Sequence, residues 1–180
     1  MAISIFAIHL KKMESNIAYL LLGSNLGDRL QNFERAIGQI ELRAGEIQSL
    51  SNKYETEPWG FQHDVPFINQ ALKIATKLSA RKLLDELLSI EMEMGRTRQA
   101  NVISERIIDI DILLFNEEII DEPGLSIPHP RLPLRKFALL PLSEIAADYF
   151  HPVTKQNIAK MLQECSDELT ADLLQVRIPA

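Results

Sequence analysis

Cysteine is nearly absent. Cys165 is the only one in 180 residues, so no disulfide can form within the chain, and Cys165 sits in a helix-like tail with no motif around it. This usage suits a reducing cytosol, and a cytoplasmic location is the expectation. Charge of one sign is lacking too: 19 Lys+Arg against 25 Asp+Glu give a net charge of -6, spread along the chain. Such a surface has no general attraction for nucleic acid or an anionic membrane, and neither is expected as a partner. No apolar run reaches the roughly 18 residues of a membrane span. The Gly-x-x-x-x-Gly-Lys-[Ser/Thr] loop that cradles phosphates in many proteins is also missing. A polyphosphate would have to be held by a local basic cluster instead.

With 46% hydrophobic residues, the chain suits one well-buried core and is too short for two comfortable domains or for fusion to a neighbouring enzyme. Met1 to Leu10 is apolar, but Lys11 and Lys12 follow it rather than precede it, and no small-residue cleavage pattern comes next, which argues against a secretory signal. Met13 stands just before the first convincing strand. Residues 1–12 are therefore expected to be an extension without function, and 13–180 a single domain.

Ile17 to Leu22 is a short apolar run stopped by Gly23-Ser24-Asn25, which favours a buried strand. Asp28 is an N-cap for a helix with Leu30, Phe33, Ile37 and Ile40 at helical spacing, and Gly45 is its C-cap. A strand is expected over 46–56, a turn-rich loop over 58–66, and a third strand over 67–76 pairing antiparallel with the second. Ser79 caps a helix carrying Leu83, Leu84, Leu87, Leu88 and Ile90 and stopped by Gly95. Ile107 to Phe115 is the most strand-like stretch, followed by a turn at 116–118 and a short strand at Ile119-Ile120. Strand, helix, strand, strand, helix, strand is the order of a ferredoxin-like α+β core with an antiparallel sheet. Helices are expected on one main face. A proline-rich loop over 123–134, helical pieces near 136–142 and 143–148, and a helix across 157–162 make up a C-terminal helical extension.

The most informative constellation is Arg106-Ile-Ile-Asp109-Ile-Asp111. Side chains alternate along a strand, so Asp109 and Asp111 share one face with Cα atoms roughly 6.5 Å apart. An isolated Asp-x-Asp is as a rule a solvated strand face. Here Arg96, Arg98 and Arg106 stand beside it, and guanidinium groups pair bidentately with phosphate oxygens. Acidic pair and arginines are complementary through a polyphosphate and Mg²⁺, which takes one or two carboxylates and completes its shell with phosphate and water. Gly23-Ser24-Asn25 reads equally as a plain turn or as close backbone approach to a ligand.

Tyr19 to Arg29, Tyr54 to Gly60, Phe67-Ile-Asn69, Gly95-Arg96-Thr-Arg98, Arg106 to Phe115 and Pro128-His129-Pro130-Arg131 together, in order and spacing, resemble the hydroxymethyldihydropterin pyrophosphokinases from about Ile17 to Val153. The resemblance implies transfer of pyrophosphate from ATP to 6-hydroxymethyl-7,8-dihydropterin in folate biosynthesis, with AMP released. It implies small-molecule substrates, with Asp109 and Asp111 holding two magnesium ions; a monomeric or weakly associating domain is the expectation. Arg96 and Arg106 then join the aspartates as the catalytic set. Glu91, Arg96, Arg98, Arg106, Ile112, His129 and Arg135 match nucleotide-site positions. The pterin ring would stack between Phe67 and Phe137, with Asn69 at its edge, backbone contacts at Gly23 and Thr56, and Pro58 and Trp59 on the loop lining its pocket. Val102-Ile103-Ser104-Glu105 departs from the basic and small residues usual before the motif arginine, which affects the detail of this loop's contact with ATP. The rival reading is a non-catalytic nucleotide-binding domain of the same fold.

Overall fold

Strand side chains alternate between faces, so an apolar run without alternation must be covered on both sides. Asn16–Ser24 (β1) is such a run, and in this computed structural model, which describes residues 15–57, 65–95 and 106–175, it is the interior strand of the main sheet. In chain order there follow α1 (Arg29–Arg43), β2 (Glu46–Leu50), β3 (Tyr54–Thr56), β4 (Phe67–Thr76), α2 (Ala80–Glu93), β5 (Asp109–Phe115), β6 (Ile120–Glu122) and β7 (Leu125–Ile127). A 3-10 turn at Leu132–Leu134, α3 (Lys136–Ala146), α4 (Ile158–Glu164) and β8 (Ala171–Leu173) complete the described chain. The strand order is β5-β1-β4-β3-β8, with β2 on another stretch of β4 and every pairing antiparallel. This is the expected ferredoxin-like core.

The helices cover both faces, not one. Ala18, Leu20 and Leu22 pack with Phe33 and Ile40 of α1 and Leu83, Leu87 and Ile90 of α2, whereas Tyr19 and Leu21 pack with Leu139 and Leu142 of α3 and Ile158 of α4. Each fully buried Leu or Ile contributes about 1.5–3 kcal/mol, so the second layer is as much a part of the core as the first. It went unforeseen because a continuous apolar strand gives no sign of how its second face is covered.

Other boundaries shift for local reasons. The single strand expected over 46–56 breaks at Ser51, whose hydroxyl accepts from Ala71 N (2.9 Å) while its carbonyl accepts from the Gln70 side chain (2.7 Å). A side chain thus replaces a ladder contact and the chain kinks into β3. The two helical pieces expected over 136–148 are one helix, with Pro141 inside it. The proline-rich loop contains β7, which forms a two-stranded sheet with β6 around Gly124 (φ 75°). The last strand, β8, lies where no element was expected.

The caps Asp28 and Ser79 are found as expected, accepting from Gln31 N at 3.0 Å and Lys82 N at 3.4 Å. Gly45 differs: the C-cap of α1 is Ala44, and what requires glycine next is contact with β4, since a Cβ there would lie 2.5 Å from the Ala75 carbonyl oxygen. Gly38, inside α1, faces open space. Gly45→Ala should therefore lower the urea midpoint by the equivalent of about 1–3 kcal/mol. By contrast, Gly38→Ala should raise it by about 0.5–1 kcal/mol. Equal effects of the two substitutions would contradict this packing.

Candidate active site

The site begins with register. Gly23 of β1 is paired with Asn69 of β4 on one side and with Asp109 of β5 on the other. A Cβ on Gly23 would lie 3.1 Å from Asn69 Oδ1 and 3.8 Å from the Phe67 ring, so the glycine leaves room above the strand where a side chain would intrude. Around it opens a cleft of about 240 Å³ lined by Gly23, Thr56, Phe67 and Asn69 at one end and Arg106, Asp109, Asp111 and His129 at the other, with Arg135 and Phe137 also on its wall.

At the first end, Asn69 and Thr56 are both buried, and Asn69 Nδ2 donates to Thr56 Oγ1 at 2.7 Å. That bond leaves the amide oxygen on the Gly23 side. Phe67 and Phe137 are half-buried on the lining. An apolar, partly aromatic wall with a fixed amide at its edge suits a flat heterocycle.

At the second end, Asp109 and Asp111 share the cleft face of β5, their side chains 17% and 35% exposed, while Ile110 and Ile112 point into the core. This alternation is protected by a β-bulge further along: Tyr19 pairs with Leu114 and Leu20 with Ile112, so Leu113 is the extra residue and both leucines turn to the α3 face. The Arg106 guanidinium donates to Asp109, and Arg135 Nη1 lies 3.8 Å from Asp111 Oδ2 and its guanidinium 5.4 Å from the centre of the Phe137 ring. Among the described residues the cleft carries three arginines, Arg106, Arg131 and Arg135, against three carboxylates, Glu57, Asp109 and Asp111.

His129 is held by its own backbone, its N–H bonding Leu113 O at 2.9 Å, and its Nδ1 accepts from Arg131 N at 3.2 Å. Nδ1 being the acceptor, the neutral ring carries its proton on Nε2. Burial, with Arg135 and Arg131 nearby, lowers the imidazole pKa to about 4, so at neutral pH His129 is an N–H donor without charge.

Gly23-Ser24-Asn25 is neither of the two alternatives alone. Ser24 extends β1 and its hydroxyl donates to Ile107 O at 2.6 Å. Asn25 Oδ1 accepts from Arg106 N (2.7 Å) while Asn25 N donates to Arg106 O (3.1 Å). The motif clamps the chain leading into the aspartates while Gly23 leaves the cleft open.

Of the residues singled out in the sequence, Gly23, Thr56, Phe67, Asn69, Arg106, Asp109, Asp111, His129, Arg135 and Phe137 are brought to one cleft. Pro58, Trp59, Arg96 and Arg98 lie outside the described residues. Glu91 and Ile112 are not on the cleft lining. Glu91 is buried on α2 and accepts from Ile110 N at 2.6 Å, covering the outer edge of β5, and Ile112 is in the core. Glu57 and Arg131, which sequence reasoning did not assign, do line it. Both lie inside motifs that were noticed, Tyr54 to Gly60 for one and Pro128-His129-Pro130-Arg131 for the other.

A sequence profile of the 7,8-dihydro-6-hydroxymethylpterin-pyrophosphokinase family matches residues 19–147. The chain is similar to a 2-amino-4-hydroxy-6-hydroxymethyldihydropteridine pyrophosphokinase of Porphyromonas gingivalis, 42% identical over 139 residues that make up 76% of this chain and 94% of the relative. It is also similar to the folic acid synthesis protein fol1 of Pneumocystis carinii, 36% identical over 155 residues, 86% of this chain but 21% of that longer protein. In fold it resembles the crystal structure of Plasmodium falciparum HPPK-DHPS, with a TM-score of 0.70 at 19% identity, covering 84% of this chain and 45% of that one.

The state of His129 is testable through stability. Burial lowers His151 as well as His129, so from the ordinary value of 6.5 down to their folded values the unfolded chain binds more protons than the folded one. Stability is therefore full above about 6.5 and falls as pH falls toward 4. His129→Gln should make that fall shallower in urea midpoints taken from pH 7 to pH 4.5. Parallel curves for wild type and variant would mean that the imidazole titrates normally.

Proposed function

The chain belongs to the 7,8-dihydro-6-hydroxymethylpterin-pyrophosphokinase family, and on that footing we propose that it transfers the terminal two phosphates of ATP to the hydroxymethyl group of 6-hydroxymethyl-7,8-dihydropterin, releasing AMP, as a step of folate biosynthesis. The observation that carries the reading is the joining of two unlike ends in one cleft: Phe67, Asn69, Thr56 and Phe137 offer a slot for a flat ring, Asp109, Asp111, Arg106, Arg135 and His129 offer a seat for phosphates, and Gly23 lies in register between Asn69 and Asp109.

In this reading the pterin enters between Phe67 and Phe137, where apolar and offset-stacking contact is available to both its faces. The amide oxygen of Asn69, oriented by Thr56, takes a donor on the ring edge. Arg106 and Arg135 move part of their pairing from Asp109 and Asp111 to phosphate oxygens, and His129 adds an uncharged Nε2–H donor. Phosphoryl transfer asks the protein chiefly for alignment and for stabilisation of charge spread over the phosphate oxygens, and these groups supply both.

Magnesium fits the acidic pair. Among the described residues no group of three or more His, Cys, Asp or Glu comes together, so the protein offers two adjacent carboxylates on the cleft face. Mg²⁺ accepts that arrangement, because phosphate oxygens and water complete its octahedron. The balance of charge argues the same way: Arg106 and Arg135 already face Asp109 and Asp111, and a polyphosphate brings negative charge that needs further cations. The chemistry that bound magnesium supplies is neutralisation and polarisation of the phosphate oxygens.

The test is AMP formation from ATP and Mg²⁺, with and without the pterin alcohol. Wild type should form AMP only when the pterin is present, and Asp111→Ala should be slower by about a thousandfold or more, the several kcal/mol expected of charge stabilisation. Absence of AMP from the wild type, or ADP in its place, would favour a non-catalytic domain or a different kinase.

A further inference from the structure

The two walls of the ring slot come from different parts of the fold. Thr56, paired with the wall residue Phe67 of β4, ends β3, a strand of only three residues, and Phe137, the other wall, is the second residue of α3. Neither position is well held by its own element. A three-residue strand at a sheet edge has a short ladder on one side only and frays readily. At the start of α3, Arg135 makes no side-chain cap, which leaves the first amides without a partner from the helix itself.

Both deficits are met by the same stretch near the C-terminus. Strand β8 lies along the outer edge of β3, with Ala171 opposite Thr56, Asp172 opposite Glu55 and Leu173 opposite Tyr54, and Leu174 N donates to Lys53 O at 2.9 Å. A few residues earlier, Asp167 Oδ2 accepts from Lys136 N at 3.0 Å, capping α3 one residue before Phe137, while its Oδ1 accepts from Leu169 N at 3.2 Å. One carboxylate therefore binds the helix and shapes the turn leading into β8. These residues lie beyond the stretch matched by the family profile, which ends at 147.

We propose that residues 167–174 are a positioning strap that sets the separation of the two walls and thereby the affinity of the cleft for its ring substrate, with Asp167 as the positioning residue. The strap touches the wall elements through their backbones, at β3 and at the first turn of α3. The aspartates and Arg106, borne on β5 and the chain before it, are at the opposite edge of the sheet. Of the phosphate seat only Arg135, the residue before Lys136, and His129 lie off β5 and the chain before it, so loss of the strap should weaken binding of the pterin more than binding of the nucleotide. A residue needed only for the fold would affect both alike.

The inference rests on the ring slot proposed above, and the test separates the two. Binding of 6-hydroxymethylpterin and of α,β-methylene-ATP with Mg²⁺ would be measured for full-length wild type, Asp167→Ala, Asp167→Asn and a variant with Ala171→Pro and Asp172→Pro, alongside amide exchange of the ligand-free proteins. Asp167→Ala should weaken the pterin by roughly three- to tenfold, the weight of one helix cap. It should change the ATP analogue by less than about twofold, and Asp167→Asn, which keeps one of the two acceptor oxygens, should recover part of the loss. In the same alanine variant the amides of 54–57 and 136–139 should exchange faster together. Unchanged pterin affinity in folded Asp167→Ala and double-proline variants would overturn the strap, as would an equal loss for both ligands. Failure of the wild type itself to bind pterin would overturn the slot and the strap with it, and only that outcome reaches the functional reading.

Discussion

The antiparallel pairing of β1 with β4 and β5 is the constraint on which the rest depends. It sets Gly23 beside Asn69 and Asp109, and so brings to one point residues far apart in the chain. A slip of one residue on either side would turn the aspartates or the asparagine to the opposite face, because strand side chains alternate. Two apolar clusters, one on each face of β1, make such a slip costly: Leu20 and Leu22 would exchange places with Tyr19 and Leu21. Core packing thereby holds the register, and the register holds the site.

Charge in the cleft is arranged around the same point. Arg106 is tied to Asn25 through two backbone-directed bonds and to Asp109 through its guanidinium, so the residue that precedes the acidic pair is positioned from both sides. Arg135 lies between Asp111 and Phe137 and so joins the acidic end to the aromatic wall. His129, kept neutral by burial beside two arginines, adds a donor without adding charge. Arg106 beside Asp109 and Arg135 beside Asp111 offset part of the cost of half-buried charge in the cleft.

Helix α3 is where the second layer meets the cleft. Glu144 accepts from Tyr54 Oη and from Asn52 N (2.7 Å), and ties the last turn of α3 to the start of β3 and the turn before it, while Asp167 ties its start to the C-terminal segment. Burial, together with the contact with Glu144, raises the Tyr54 pKa to about 12, so the phenol keeps its proton and the bond persists through the ordinary range of pH. The wall that carries Phe137 is in this way braced at both ends against the strand that carries Thr56.

Much of this was legible in the residues. The alternation of Asp109 and Asp111, the caps at Asp28 and Ser79 and the order of strands and helices all follow from short-range rules, because caps and strand alternation depend on residues within a turn or two of each other. Six motifs in order also pointed to a family and to most of the cleft. What only the tertiary structure decided lies at long range: the covering of both faces of β1, the splitting of β2 from β3 by Ser51, the clamp from Ser24 and Asn25 to the chain before β5, the bond from Glu91 to the outer edge of β5, and the pairing of β8 with β3. Each joins residues tens of positions apart, where the preference of either partner alone is weak and the gain comes only when packing of the whole core brings both together.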